Sequence, residues 1–270
     1  MRKIEAFFDK YGLENLTLKL ILCYAIGYIF SFAPVGSGIL NYLTLNPYEI
    51  LHGQVWRIVT WILVPPSESN IFFVLIMLYF YYSIGSTMER VWGKGRYNAY
   101  IFNGMLLMVI GAMITFVVSL FVLPGILSAD NASYIYAVIS SSFSTYYINM
   151  SILLAFAATF PDNVVLFMFV IPLKVKYLGI IYGIWLGIEG LSALFGGAFW
   201  QFIAIAASLL NFFIFWFFNG RHFHFRPKEV KRRTEFKRAV KMTPPGVAKH
   251  KCAVCGKTEI DDPNMQFRFC

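Results

Sequence analysis

Glu89-Arg90-Val91-Trp92-Gly93-Lys94-Gly95-Arg96 is a charged turn between two runs without a single charge, Asn70–Met88 and Tyr97–Ala129. A helix needs about 20 apolar residues to cross the hydrocarbon core, so each run supplies a span and the turn joins them on one side. The pattern repeats outward from this turn. Leu20–Tyr48, Asn131–Pro161 and Gly190–Gly220 are also uncharged, and Tyr177–Ala193 holds one acid, Glu189. Six spans follow, at about Leu18–Phe32, Asn70–Met88, Asn98–Leu123, Ser142–Phe160, Tyr177–Ala193 and Ala198–Phe218. The predicted fold class is an all-α polytopic membrane protein.

Composition agrees. The 270 residues are 58% hydrophobic and only 14% charged, too few polar groups for the surface of a soluble globule, where roughly a quarter of residues are charged. Four cysteines, one alone at Cys23 and three near the end, make no disulfide framework.

The net charge of +9 is distributed unevenly. With six spans the termini share a side, and 22 of the 23 basic residues fall on it: in the N-terminal segment, the Glu89 turn, Lys174 and Lys176, and the tail from Arg221. Arg57 is alone on the other side. Cytoplasmic loops retain Lys and Arg, so both termini are expected in the cytoplasm. Ser37–Ser69 is then a long external loop, whose Trp56, Ile58, Val59, Trp61 and Leu63 read as helices lying in the interface. Asn163–Leu173 is too short to cross and is placed at the cytoplasmic face. The first apolar run is a full span, so no cleavable signal peptide is expected. The residues before it, with Ile4, Phe7, Phe8, Tyr11 and Leu13, fit an amphipathic helix on the inner leaflet or a solvated tail.

Gly179, Gly183 and Gly187 repeat at spacing four in the fifth span, a small-residue face that lets helix backbones approach. Ala204, Ala207 and Ser208 form a second stripe in the sixth span that could meet it. Glu189 and Asn211 are the polar candidates within spans.

Taken in order, several motifs form a constellation: Trp56-Arg57 in the external loop; Gly85, Glu89, Arg90 and Gly93 at the end of the second span; Pro172 with Lys174 and Lys176 before the fifth. Over about residues 15–220 this resembles the rhomboid superfamily of intramembrane serine proteases and its derlin-like relatives. The resemblance implies a six-helix rhomboid-like bundle with an interfacial first external loop, and a structural role for Arg57. It also implies where catalysis would sit: a serine in Gly-x-Ser-Gly on helix four, a histidine on helix six, and a His and an Asn on helix two that bind the oxyanion.

Those positions fall on about Tyr146, about Ser208, Phe73 and Met77. No Gly-x-Ser-Gly occurs, and the histidines are His52, His222, His224 and His250, none within a span. A serine nucleophile needs a base for its proton and donors for the developing charge. The expectation is a catalytically inactive rhomboid-like protein that binds membrane-protein clients or acts as a membrane adaptor. The alternative is an intramembrane serine endopeptidase with a non-standard dyad, drawing on Ser140–Ser144 with Glu189 or His52. A transporter is disfavoured, since no internal repeat is present and the midplane reads as apolar.

Residues 1–16 form a cytoplasmic N-terminal segment, 17–220 the membrane domain, 221–251 a basic linker suited to anionic lipid rather than nucleic acid, and 252–270 a knuckle-like tail. Cys252-x-x-Cys255-Gly256 is a zinc half-site, with Cys270 as a third thiol. A fourth ligand would come from His250 or from a second Cys-x-x-Cys beginning at Cys270; a redox pair and unbound thiols stay open. The expected partners are the lipid bilayer and transmembrane clients, in the plasma membrane of a bacterium. Oligomeric state is left open.

Overall fold

The computed structural model describes residues 2–33, 36–66, 70–124, 129–167 and 171–218, with Thr258 and Asp261 in the tail. The chain divides into two units, residues 1–218 and 219–270. In the second, the Asp261 carboxylate accepts from the Thr258 amide and hydroxyl, at 2.9 and 2.7 Å. Cys252, Cys255 and Cys270 lie outside the described residues.

The first unit is helical, with one small hairpin. Helix α1 (Arg2–Tyr11) precedes α2 (Leu16–Phe32). The loop between the first two expected spans folds into three short helices, α3 (Gly36–Asn41), α4 (Pro47–Leu51) and α5 (Arg57–Thr60), and a 3-10 turn at Trp61–Leu63. Then come α6 (Ile71–Trp92), α7 (Lys94–Val122), α8 (Ala129–Ser141) and α9 (Thr145–Thr159). The antiparallel pair β1 (Val164–Phe167) and β2 (Ile171–Lys174), with Leu166 opposite Pro172, leads into α10 (Val175–Phe195) and α11 (Phe199–Phe218).

Local chemistry sets these boundaries. Asn46 caps α4, its side chain accepting from the Tyr48 and Glu49 amides, and Pro47 follows at the first helical position. Asn70 caps α6 and Ser144 caps α9 in the same way. Gly93, at φ +82°, turns the chain from α6 straight into α7, a backbone region that side chains with a Cβ rarely enter.

Each expected span is occupied by a helix, but they are not equal. α6, α7, α10 and α11 are long and apolar enough to cross a bilayer, and the bent pair α1–α2 would add a fifth. α9 has 15 residues, about 22 Å at 1.5 Å per residue, short of the hydrocarbon thickness. It needs no lipid match, because nearly every residue from Thr145 to Ala157 is buried. The core is α9 surrounded by α2, α6, α7, α10 and α11. The second half of the Asn131–Pro161 run is thus a central helix, and its first half is a separate one, α8, lying against α4.

Two packing expectations are revised. Ala207 of the small stripe on α11 meets α7: a Cβ on Gly111 would stand 3.5 Å from it, and one on Gly104 only 2.8 Å from the nearby Asn211 amide. The three α10 glycines are not equivalent. A Cβ on Gly179 would collide with Ala157 at 2.4 Å, one on Gly183 would make ordinary contact with Leu154, and Gly187 faces open space.

The N-terminal segment is an ordered helix against α7, not a solvated tail. It meets α2 at a 74° elbow. Buried Asn98 holds that elbow, accepting from the Leu13 amide at 2.9 Å and donating to its carbonyl at 3.0 Å. Glu89 caps the start of α2 by accepting from the Leu16 and Thr17 amides and the Thr17 hydroxyl. A carboxylate at a helix N-terminus also meets the positive end of its dipole. The Tyr97 hydroxyl, 3.0 Å away, donates in turn to the Thr17 oxygen, and Gly85 is where α6 lets both approach. The charged turn that opened the sequence is therefore the clamp on the first span.

Candidate functional site

At the loop end of α9, α10 and α11, three polar side chains converge. The Tyr147 hydroxyl donates to Glu189 Oε1 at 2.8 Å, and the Gln201 amide donates to the same oxygen at 2.8 Å. Gln201 also stands 3.4 Å from the Tyr147 oxygen. Tyr147 is buried and Glu189 half-buried. A carboxylate here accepts from two neutral donors, an arrangement that holds its oxygen without supplying a counter-charge.

The serines nearby are occupied by their own backbone. Ser140 and Ser141 each donate to the carbonyl three residues back, at 2.7 Å, and Ser144 accepts from the Tyr146 amide. Hydroxyls in helices commonly bond this way. A general base must lie within hydrogen-bond reach of the proton it takes, and the Glu189 carboxylate accepts from a phenol and an amide. His52 caps α4 at its C-terminal end. Its Nδ1 lies 2.7 Å from the Tyr48 carbonyl, and its ring packs 4.2 Å from the Tyr48 ring.

The four positions matched to the protease by sequence are dispersed. Phe73 is exposed on α6. Met77 packs with Tyr24, Tyr28 and Val74 between α2 and α6. Tyr146 is half-buried, edge-on to Tyr147. Ser208 is buried on α11 with its hydroxyl unpartnered, two turns of helix from Gln201. Of the polar pair named from the sequence, Glu189 joins the Tyr147 cluster. Asn211 lies deeper, accepting from the Asn103 amide at 2.9 Å and donating to the Tyr100 carbonyl at 3.3 Å.

A second polar layer was not visible in the sequence. Tyr24 on α2 reaches Asn149 on α9, at 3.5 Å, beside a cavity of about 20 Å³ lined also by Thr17, Tyr81 and Tyr97. The Asn149 amide nitrogen and the Thr145 hydroxyl are buried without a partner. The cavity has room for a water. The interior is therefore not the apolar midplane that the sequence implied.

The loop between α2 and α6 is held together by Arg57. Its Nη1 donates to the Asn41 and Thr44 carbonyls and the Thr44 hydroxyl, and its Nε to the Gln54 side chain at 2.8 Å. Gln54 donates to Glu49, whose other oxygen accepts from Ser133 on α8. Burial pulls the Arg57 pKa down from its ordinary value, and the nearby Glu49 carboxylate opposes that shift. Trp56 beside it is exposed and donates weakly to the Tyr42 carbonyl. Arg90 is exposed too, while Trp92 stacks on Phe215 at 4.0 Å.

The family described as "Eukaryotic integral membrane protein (DUF1751)" matches residues 16–230, from the start of α2 to beyond α11. The chain belongs to this family. It is a rhomboid-like, derlin-type family of integral membrane proteins, so the match covers the stretch over which the motifs run. Its members are eukaryotic, which removes the bacterial plasma membrane expected from the sequence. No curated protein and no solved structure matches the chain. Among the described residues, no group of three or more His, Cys, Asp or Glu could hold a metal ion.

Proposed function

We propose that this chain is a catalytically silent rhomboid-like protein of a eukaryotic membrane that holds the transmembrane segments of other proteins without cutting them. The observation that carries this reading is the state of Glu189. It is the acid nearest the family's catalytic end, and its described bonds go to Tyr147 and Gln201 instead of a serine. With Phe73 and Met77 on α6 and no histidine in any span, neither the base nor the side-chain oxyanion donors are supplied.

Six spans with both termini cytoplasmic are part of the proposal, supported by the distribution of basic residues. α2 and α9 then count as short spans, α9 shielded by its neighbours. Clients would enter between α6 and α10, which flank α9 and carry the half-buried phenols of Tyr81 and Tyr182, with Tyr146 half-buried on α9. A phenol presents an apolar body and a hydrogen-bonding tip, suited to a helix carrying an occasional polar group. The tail is proposed to anchor on anionic lipid through its basic stretch and to hold zinc through Cys252, Cys255 and Cys270.

A fluorophosphonate probe tests the silent reading, since it labels only activated serines. No adduct is expected on the chain in liposomes. An adduct at Ser140, Ser141, Ser142 or Ser144 would overturn it.

A further inference from the structure

Helix α1 divides its side chains unequally. Its two acids turn toward the protein: Asp9 accepts from the Gly95 amide at 2.9 Å, and Glu5 lies 3.6 Å from Arg96. Phe8, on the same side, stacks on Phe102 of α7 at 5.2 Å. Next to this face runs a stripe at helical spacing, Ile4, Phe7 and Tyr11, left 51%, 56% and 64% exposed. Phe7 and Tyr11 pack together at 5.1 Å, and the Lys10 ammonium lies 5.1 Å from the Tyr11 ring, on the side away from the acids.

We infer that α1 is an interfacial helix that seats Ile4, Phe7 and Tyr11 in the headgroup–acyl boundary of the leaflet on the N-terminal side. Three observations select lipid as the occupant. The 74° elbow turns α1 away from the axis of α2, toward the membrane plane at the level where that span begins. The surface it joins is already lipid-facing, since Leu18, Leu22, Ile26 and Ile29 of α2 are exposed. The charges suit a phosphate layer, because both acids are consumed by the protein and Lys10 is left at the outer edge. An apolar stripe with a basic border on a helix of low overall hydrophobicity is the pattern that lies in the interface. Asn98 and Glu89 fix the elbow, so the helix is held at this depth by the bundle and needs no anchor of its own.

The test uses the unaltered chain in phosphatidylcholine liposomes, with a phospholipid carrying a diazirine near the glycerol end of its acyl chain. Adduct mapping is paired with hydroxyl-radical footprinting. Lipid adducts are expected on Ile4, Phe7 or Tyr11 as well as on Leu18 and Leu22, with Phe7 and Tyr11 oxidised several-fold more slowly than the same residues in a water-soluble peptide of 2–13. In the double variant Phe7→Glu, Tyr11→Glu, the α1 adducts should disappear while those on α2 persist. Rapid oxidation without α1 adducts would mean a solvated helix and overturn the inference. Slow oxidation without α1 adducts would mean a protein surface covers the stripe, and would overturn it equally.

Discussion

Asn98 and Arg57 each hold backbone groups from another part of the chain. Asn98 is fully buried and pairs both polar groups of Leu13, so Asn98→Leu would leave an amide and a carbonyl without partners. Orphaned groups cost about 1–3 kcal/mol each when fully buried and less where water reaches them, as at exposed Leu13. We expect this variant to lower the melting temperature in detergent and to speed amide hydrogen exchange over residues 2–13 selectively. Exchange unchanged there would contradict the clamp. Arg57→Lys keeps the charge but loses the planar fork that serves Asn41, Thr44 and Gln54 together, so the external loop should become more sensitive to added protease between 41 and 63. Arg57 could be singled out from the sequence, because a six-span reading sets it apart from the other 22 basic residues. Asn98 could not: it stands at the edge of an apolar run like many asparagines, and its partner lies 85 positions away.

Elements that carry a long uncharged run were legible, since the bilayer itself imposes the length. α8 and the β1–β2 pair were not, because neither is long enough to carry that signature. Polar pairing was also hidden. Tyr147, Asn149 and Gln201 lie in uncharged segments with no sign of their partners, and only packing α9 against α2, α10 and α11 brings these together. The spacing of Gly179, Gly183 and Gly187 placed all three on one face but could not say where α9 and α10 touch. The helices touch at Gly179, whereas a Cβ on Gly187 would point into open space. Gly179→Leu should therefore destabilise the protein by at least the about 1–3 kcal/mol of an overpacked core position, while Gly187→Leu should melt with the parent. Thermal melts in detergent measure both, and equal melting of the two variants would remove the argument.

In the molecule as a whole, a helical bundle around α9 coincides with the family match, and the proposed topology puts both termini on the basic side. The orientation is checked with a membrane-impermeant thiol reagent on sealed vesicles of known sidedness. Asn41→Cys should gain labelling from the face opposite the termini, and Lys94→Cys should stay shielded from it; the reverse would invert the topology. The central claim is that a rhomboid-like frame has kept its shape without its chemistry. An unactivated serine, lacking a base that typically contributes 10²–10⁴-fold and oxyanion donors worth about 3–4 kcal/mol each, should not cleave. The most direct measurement is proteolysis of a model transmembrane substrate co-reconstituted in liposomes, set against a chain with alanine at 140, 141, 142 and 144. The account predicts intact substrate with both chains. A cleavage product made by the parent and lost in the alanine variant would contradict it.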